Sequence, residues 1–245
     1  MRSPRISLQL WSLREQTKTD FAGTMAAVAK IGFAGVETAG FGNLDAPAAA
    51  AAIRDAGLVV SGMHVGIGPM RTEFNRVVDE ALECGTRHLI IPWWSPKHLQ
   101  TGAAATEIGA ELNTLGARLR AYGLHLHYHN HAAELAVVDG RRVFDWLLDA
   151  AEPRNLGCEA DVYWVHVGGK APSEFIREQG RRIRLLHLKD ETELGTGPVD
   201  FEAVFGAIES IGAAEWYVIE VEKYNFSPLE SVRRSFEQLK TWGKA

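Results

Sequence analysis

Six times along the chain an amphipathic segment runs into a glycine, then a short apolar run, then a polar residue. The instances are "AVAKIGFAGVE", "AIRDAGLVVSGMH", "EALECGTRHLIIP", "ARLRAYGLHLHYH", "REQGRRIRLLHLKD" and "IESIGAAEWYVIE". Their glycines, Gly32, Gly57, Gly85, Gly123, Gly180 and Gly212, stand where a helix would end in the left-handed conformation that glycine adopts cheaply. The segments before them have helical spacing: Phe74, Val77, Val78, Ala81 and Leu82 share one face, as do Ile108, Leu112, Leu115, Leu119 and Tyr122. The runs after them are apolar on both faces, as buried parallel strands are. With "RISLQLW" and "NLGCEADVYW" added, the spacing predicts eight strands near 5–11, 33–38, 58–64, 86–92, 124–129, 156–161, 184–189 and 216–222. Eight strand–helix units in 245 residues predict an α/β chain folded as a single (β/α)8 TIM barrel, one domain over 1–245. A doubly wound open sheet is the alternative, but no Gly-x-Gly-x-x-Gly follows the first strand and no Pro- or Ser-rich linker divides the chain.

Composition narrows the partners. A net charge of −5 argues against nucleic acid or an anionic membrane surface, both of which reward basic stripes. Cys84 and Cys158 are the two cysteines, each alone in its segment, so no disulfide framework or thiolate zinc site is implied. The start, "MRSPRISLQLW", lacks the apolar core of a signal peptide, and no apolar run approaches a membrane span. The expectation is a cytoplasmic protein acting on a small molecule. Pairing into a homo-oligomer is left open by the pattern.

In such barrels the active site lies at the C-terminal ends of the strands, and here each predicted strand ends in chemistry. Gln9 and Trp11 close the first, Glu37 the second, His64 the third, and Pro92-Trp93-Trp94 the fourth. His129 closes the fifth and Asp161 the sixth; His187 with Lys189 and Glu220 with Glu222 close the last two. On the fifth strand "HLHYHNH" sets histidines at every second position, hence on one face. His125 and His127 read as core; His129 and His131, at the rim, read as functional. Glu134, Asp161, His187 and Glu220 supply three oxygen donors and one imidazole, a set suited to Mn2+, with Mg2+ or Co2+ as alternatives. The competing reading is a set of buried ion pairs with Lys189, Arg184 or Arg182. Three carboxylates at one inner rim without a cation would cost several kcal/mol in desolvation and repulsion.

The run "YHNHAAEL", "DVYW", "HLKD" and "YVIEVEKY" resembles the xylose-isomerase-like barrel superfamily of sugar isomerases and epimerases, which includes inosose dehydratases. The resemblance covers nearly the whole chain. It implies one divalent ion held by a Glu after strand five, an Asp after six, a His on seven and a Glu on eight. The last three carry over to Asp161, His187 and Glu220. At strand five this chain has His129-Asn130-His131 where many epimerases have Glu-Asn-His, so Glu134 from the loop, or else His129, takes that place. Trp164 stands where many relatives have His.

The implied chemistry is proton abstraction beside the carbonyl of a keto-sugar or related polyol, through an enediolate, in a metal-dependent isomerase or epimerase. The catalytic candidates are His129, Glu220, Glu222 and Lys189. Glu37, His64, Trp93, His131 and Trp164 are the candidates for holding substrate. An asymmetric His/Glu site could also support dehydration, as in an inosose or 3-keto-sugar dehydratase. A non-catalytic sugar-binding protein on the same scaffold is a further alternative, and an apurinic-site endonuclease fits the acidic balance poorly. "ELGTGPVD", Glu193 to Asp200, lies after strand seven, where barrels often bind phosphate. It holds no clustered Arg or Lys, which favours a neutral sugar or cyclitol.

Overall fold

The computed structural model describes residues 3–245. Each short apolar run forms a strand: β1 (Arg5–Gln9), β2 (Gly35–Thr38), β3 (Val59–His64) and β4 (His88–Ile91). β5 (His125–His129), β6 (Leu156–Asp161), β7 (Ile183–Leu188) and β8 (Trp216–Ile219) complete the set. All neighbours pair in parallel, and β8 closes on β1 from Arg5↔Trp216 to Leu8↔Ile219. The (β/α)8 barrel expected from the repeating unit is therefore the fold. All six unit-ending glycines have positive φ, from 53° at Gly180 to 120° at Gly32.

Several strands are shorter than the apolar runs implied, and two of them end two or three residues early at the rim. β1 gives way to a 3-10 turn, Leu10–Leu13, and β8 stops before Glu220. Both changes leave the polar residues on the rim instead of inside a strand. A two-residue ribbon, Val137–Val138 with Arg141–Arg142, adds a small flap after β5.

Helix starts follow side-chain capping. Asp20, Asp45, Thr101 and Asp200 each accept from the backbone N–H three residues on, which satisfies an orphan donor. The main core fills the layer between strands and helices; from β5 it takes Leu126 and Tyr128. Alternation sends His125, His127 and His129 inward. The barrel interior holds a small apolar plug of Leu185, Trp216 and Val218 in its N-terminal half, and Arg5 lies 4.6 Å above the Trp216 ring. Above the plug the interior turns polar. Two register irregularities fall at Val36/Glu37 and Cys158/Glu159, each beside a fully buried carboxylate. Bulges next to sites re-aim side chains in this way.

Candidate active site

β6 ends in Asp161, which caps the helix Val162–Val167 by accepting from Trp164 N at 2.9 Å through Oδ1. That leaves Oδ2 buried and without a hydrogen-bond partner. β5 is pinned beside it: Asn130 Oδ1 accepts from Asp161 N at 3.0 Å. The middle residue of His-Asn-His thus locks two strand ends together. His129, the last residue of β5, then faces His187 with ring centroids 4.6 Å apart.

Four groups converge here. His129, Asp161, His187 and Glu220 are all buried, and each offers one ligand atom within 4.8 Å of the others. His187 Nδ1 is 3.4 Å from Glu220 Oε2 and 3.9 Å from Asp161 Oδ2. His129 Nε2 is 4.0 Å from Asp161 Oδ2. Such spacings suit atoms that each sit about 2 Å from one shared centre. Asp161 Oδ2 and His187 Nδ1 are both buried orphans, and an unpaired buried polar atom costs about 1–3 kcal/mol. A divalent cation resolves both at once, and the residues fit one.

Beneath this cluster lies a second tier. Glu159 Oε2 is 2.9 Å from His64 Nε2, 3.2 Å from His129 Nδ1 and 3.3 Å from His187 Nε2. Glu37 Oε1 accepts from Gln9 Nε2 at 2.7 Å and lies 2.8 Å from His187 Nε2. Each cluster histidine therefore has a carboxylate behind one nitrogen and presents the other to the cluster. This is how a carboxylate sets the tautomer and orientation of a ligating imidazole.

The titrations follow from the packing. Burial works against a charged His64, but Glu37 and then Glu159 overcome it and raise it to about 9. His187 is raised well above its usual range in the same way, by Glu159 and Glu37 against burial. Burial lifts Asp161 to about 6 and, with the Glu37 charge, Glu159 to about 7. Against its own burial, Glu220 is held far below the usual carboxylate range by Lys189 and His187. His129 is pushed well down, by burial first and the His187 charge second, so it is neutral and able to ligate.

Above the cluster opens a cavity of about 410 Å3, bounded by His64, His129, His131, Glu220 and Glu222, with Trp11 and Trp93 at its edge. Trp11 and Trp93 are about half exposed. Lys189 is 2% exposed and held between Glu220 at 3.2 Å and Glu222 at 2.7 Å. Its ammonium also lies 5.0 Å from the Trp164 ring centre, and that ring packs 5.3 Å from His131. Arg184 and Arg182 take no part: the first pairs with Glu215, and the second donates to the Leu148 and Ala151 carbonyls.

Of the residues expected from sequence, Asp161, His187, Glu220, His129, His64, His131, Glu222, Trp93 and Lys189 meet at this place. Three expectations need correction. Glu134, favoured as the fifth-strand ligand, is turned into its own loop. Oε1 accepts from the Tyr128 hydroxyl at 2.7 Å and Oε2 from His131 N at 2.9 Å. With both oxygens committed it stands outside the cluster, and the fifth-strand residue that faces the cluster is His129. Glu37, expected to bind substrate, is fully buried one tier below the cavity. Trp164 lies behind Lys189 and His131, not in the cavity wall. Glu159 went unrecognised, although it shares the face of Asp161 two residues on.

A profile of the xylose isomerase-like TIM barrel family matches residues 25–242. An inosose dehydratase of Geobacillus thermodenitrificans is 24% identical over 136 residues, 46% of this chain and 45% of the relative. The chain thus spans about half the length of the curated relatives it matches. A solved sugar phosphate isomerase/epimerase from Parabacteroides distasonis superposes with a TM-score of 0.89 at 23% identity, covering 100% of this chain and 96% of its own. A solved L-ribulose 3-epimerase gives 0.76 at 16% identity over 97% of this chain and 94% of its own. At these identities the superpositions establish the fold. Among the described residues no helix is long and apolar enough to cross a membrane.

Proposed function

This chain belongs to the xylose isomerase-like TIM barrel family, and from that premise we propose that it is a divalent-metal-dependent isomerase or epimerase of a small keto-sugar or keto-cyclitol. The single observation that supports this most is the pair of buried, unpartnered atoms, Asp161 Oδ2 and His187 Nδ1, facing each other beside Glu220 and His129. The donor set of two imidazoles and two carboxylates suits Mn2+, with Co2+ or Mg2+ as alternatives. When bound, the ion supplies Lewis-acid polarisation of a substrate carbonyl and stabilises charge that develops on its oxygens.

The chain's own groups do the rest. Glu220 is the carboxylate that both belongs to the cluster and borders the cavity. Lys189 keeps it ionised at Oε2, and Oε1 takes the proton from the carbon next to the carbonyl. Such a positioned base is worth about 10²–10⁴-fold. Lys189, held behind the cavity wall, balances the charge of both Glu220 and Glu222. Glu222, His64 and His131 bind hydroxyls, while Trp11 and Trp93 cover the apolar face of the ring. Return of the proton to the neighbouring carbon completes an isomerisation; return to the opposite face completes an epimerisation.

One asymmetry favours a second reading, β-elimination of a hydroxyl as in a dehydratase. Inversion at a carbon needs proton-transfer groups on both faces, but the fifth strand presents His129, and Glu134 is turned away. For elimination one carboxylate suffices: Glu220 takes the α-proton and returns it to the departing β-hydroxyl, which leaves as water as the carbon–carbon double bond forms.

The test is deuterium exchange from D2O into ketoses, keto-inositols and 3-keto-sugars, followed by NMR on protein stripped of metal and then reloaded. Exchange that requires the ion is expected, and the product distinguishes isomerase from dehydratase. Exchange that survives stripping would overturn the metal-dependent reading.

A further inference from the structure

The loop after β7 is built around a carboxylate of the protein itself. Asp190, 2% exposed, accepts from Glu191 N at 3.0 Å through Oδ1, and from Gly195 N at 3.1 Å and Gly197 N at 3.0 Å through Oδ2. Three convergent backbone N–H groups are the makings of an anion nest, and the loops after strands seven and eight are where barrels of this class often hold a phosphate. The fit is close: a Cβ on Gly197 would stand 2.0 Å from Asp190 Oδ1, so the backbone reaches the carboxylate only because glycine is there.

The cavity wall offers no replacement for the occupied nest: among the described residues neither lysine nor arginine borders it. Lys189 is shared by Glu220 and Glu222, and Lys223 lies 3.6 Å from Glu191. Among the described residues that border the cavity, a substrate phosphate would meet the Glu220 and Glu222 carboxylates and no lysine or arginine. Like charges brought together without a counter-ion discriminate against the charged ligand.

We infer that Asp190 is a built-in anion that fills the phosphate-binding loop, so that the substrate is an uncharged keto-sugar or cyclitol and not its phosphate ester. The substrate half of this inference rests on the proton-abstraction reading of the site; the occupied nest does not.

Two arms test it separately. In the first, the full chain, 15N-labelled and loaded with Mg2+, is titrated with inorganic phosphate while the amide signals of Glu191, Gly195 and Gly197 are followed. Wild type is expected to show no saturable shift at these amides. Asp190→Ala is expected to gain one, and Asp190→Asn supplies the comparison that keeps the side chain's shape should the alanine variant fold poorly. A saturable shift at these amides in wild type would overturn the inference whatever the variants do. In the second arm, metal-dependent deuterium exchange is compared for each active ketone and its phosphate ester. Exchange from the ester is expected to be slower by about tenfold or more; an ester that exchanges as fast or faster would overturn it. Loss of exchange from every compound would count against the proton-abstraction reading, while the amide shifts still decide the occupancy of the nest.

Discussion

His127 and His129 sit two residues apart on one strand, point into one barrel, and meet different chemistry. His127, in the lower half, shares a 2.9 Å hydrogen bond with His88, whose other nitrogen lies 3.3 Å from Glu215 at the barrel's lower edge. Its ring packs against Gly157, where a Cβ would come within 2.4 Å of Nδ1. Burial, then the charges of His88 and His125, keep it well below its usual titration range, and it stands outside the cluster of His129, Asp161, His187 and Glu220. His129 has Glu159 behind one nitrogen and Asp161 before the other. Alternation puts an imidazole on the inner face; the layer it reaches decides whether it fills space or binds. The lower layer of the barrel is closed by an apolar plug, while the upper layer gathers carboxylates and imidazoles whose ligand atoms lie within 4.8 Å of one another.

The comparison can be broken most forcefully at Glu220. Glu220→Gln is expected to cut deuterium exchange by about 10²–10⁴-fold, measured at saturating metal so that weaker ion binding does not confound the rate. A change below tenfold would place the base elsewhere. Glu159→Gln comes next. Because Glu159 touches three imidazoles and no substrate, it is expected to lower ion affinity by about 10–100-fold, with much of the rate restored by excess metal.

A pH titration sharpens the same point. In the ion-free protein Asp161 is raised to about 6 and Glu159 to about 7, by burial above all. His187 is raised well above its usual range by Glu159 and Glu37. An ion must displace protons from Asp161 and His187, so its affinity should rise with pH through and above this window, with proton release seen by calorimetry in buffers of different ionisation enthalpy. The acids' own contribution to ion-free stability runs the other way. An acid whose folded pKa is raised binds more protons folded than unfolded, so that contribution falls as pH climbs from about 4 toward 6–7.

The smallest effect is expected at Glu134. Glu134→Gln removes one acceptor from a loop and should cost about 1 kcal/mol of stability in denaturant unfolding. Ion affinity should stay within a few-fold of wild type, whereas a loss comparable to that of Glu159→Gln would return Glu134 to the ligand set.

Much of this was legible in the sequence, and the failures share a cause. The strands, the helix ends and the gathering of polar residues on one rim follow from periodicity, because each depends on residues close in sequence. Asp161, His187 and Glu220 follow from their position at strand ends. Glu134 did not: a carboxylate three residues after His131 can bond back to that residue's own N–H, and this local bond wins over the longer reach to the cluster. Glu159 was hidden in an apolar strand, although the two-residue period alone would have set it on the face of Asp161. Glu37 reads as a rim residue until the register irregularity at Val36/Glu37 and full burial place it a tier lower. The nest around Asp190 was beyond reach, since it requires three backbone N–H groups from different parts of a loop to meet at one point.

The most direct test of the central claim is calorimetric titration of Mn2+ into metal-stripped wild type, His129→Ala and His127→Ala. One ion per chain is expected in wild type and in His127→Ala, the latter less stable but with affinity nearly unchanged, and a loss of at least about tenfold in His129→Ala. Equal loss in both variants, or no ion bound by wild type, would contradict the assignment of the upper layer as a metal centre.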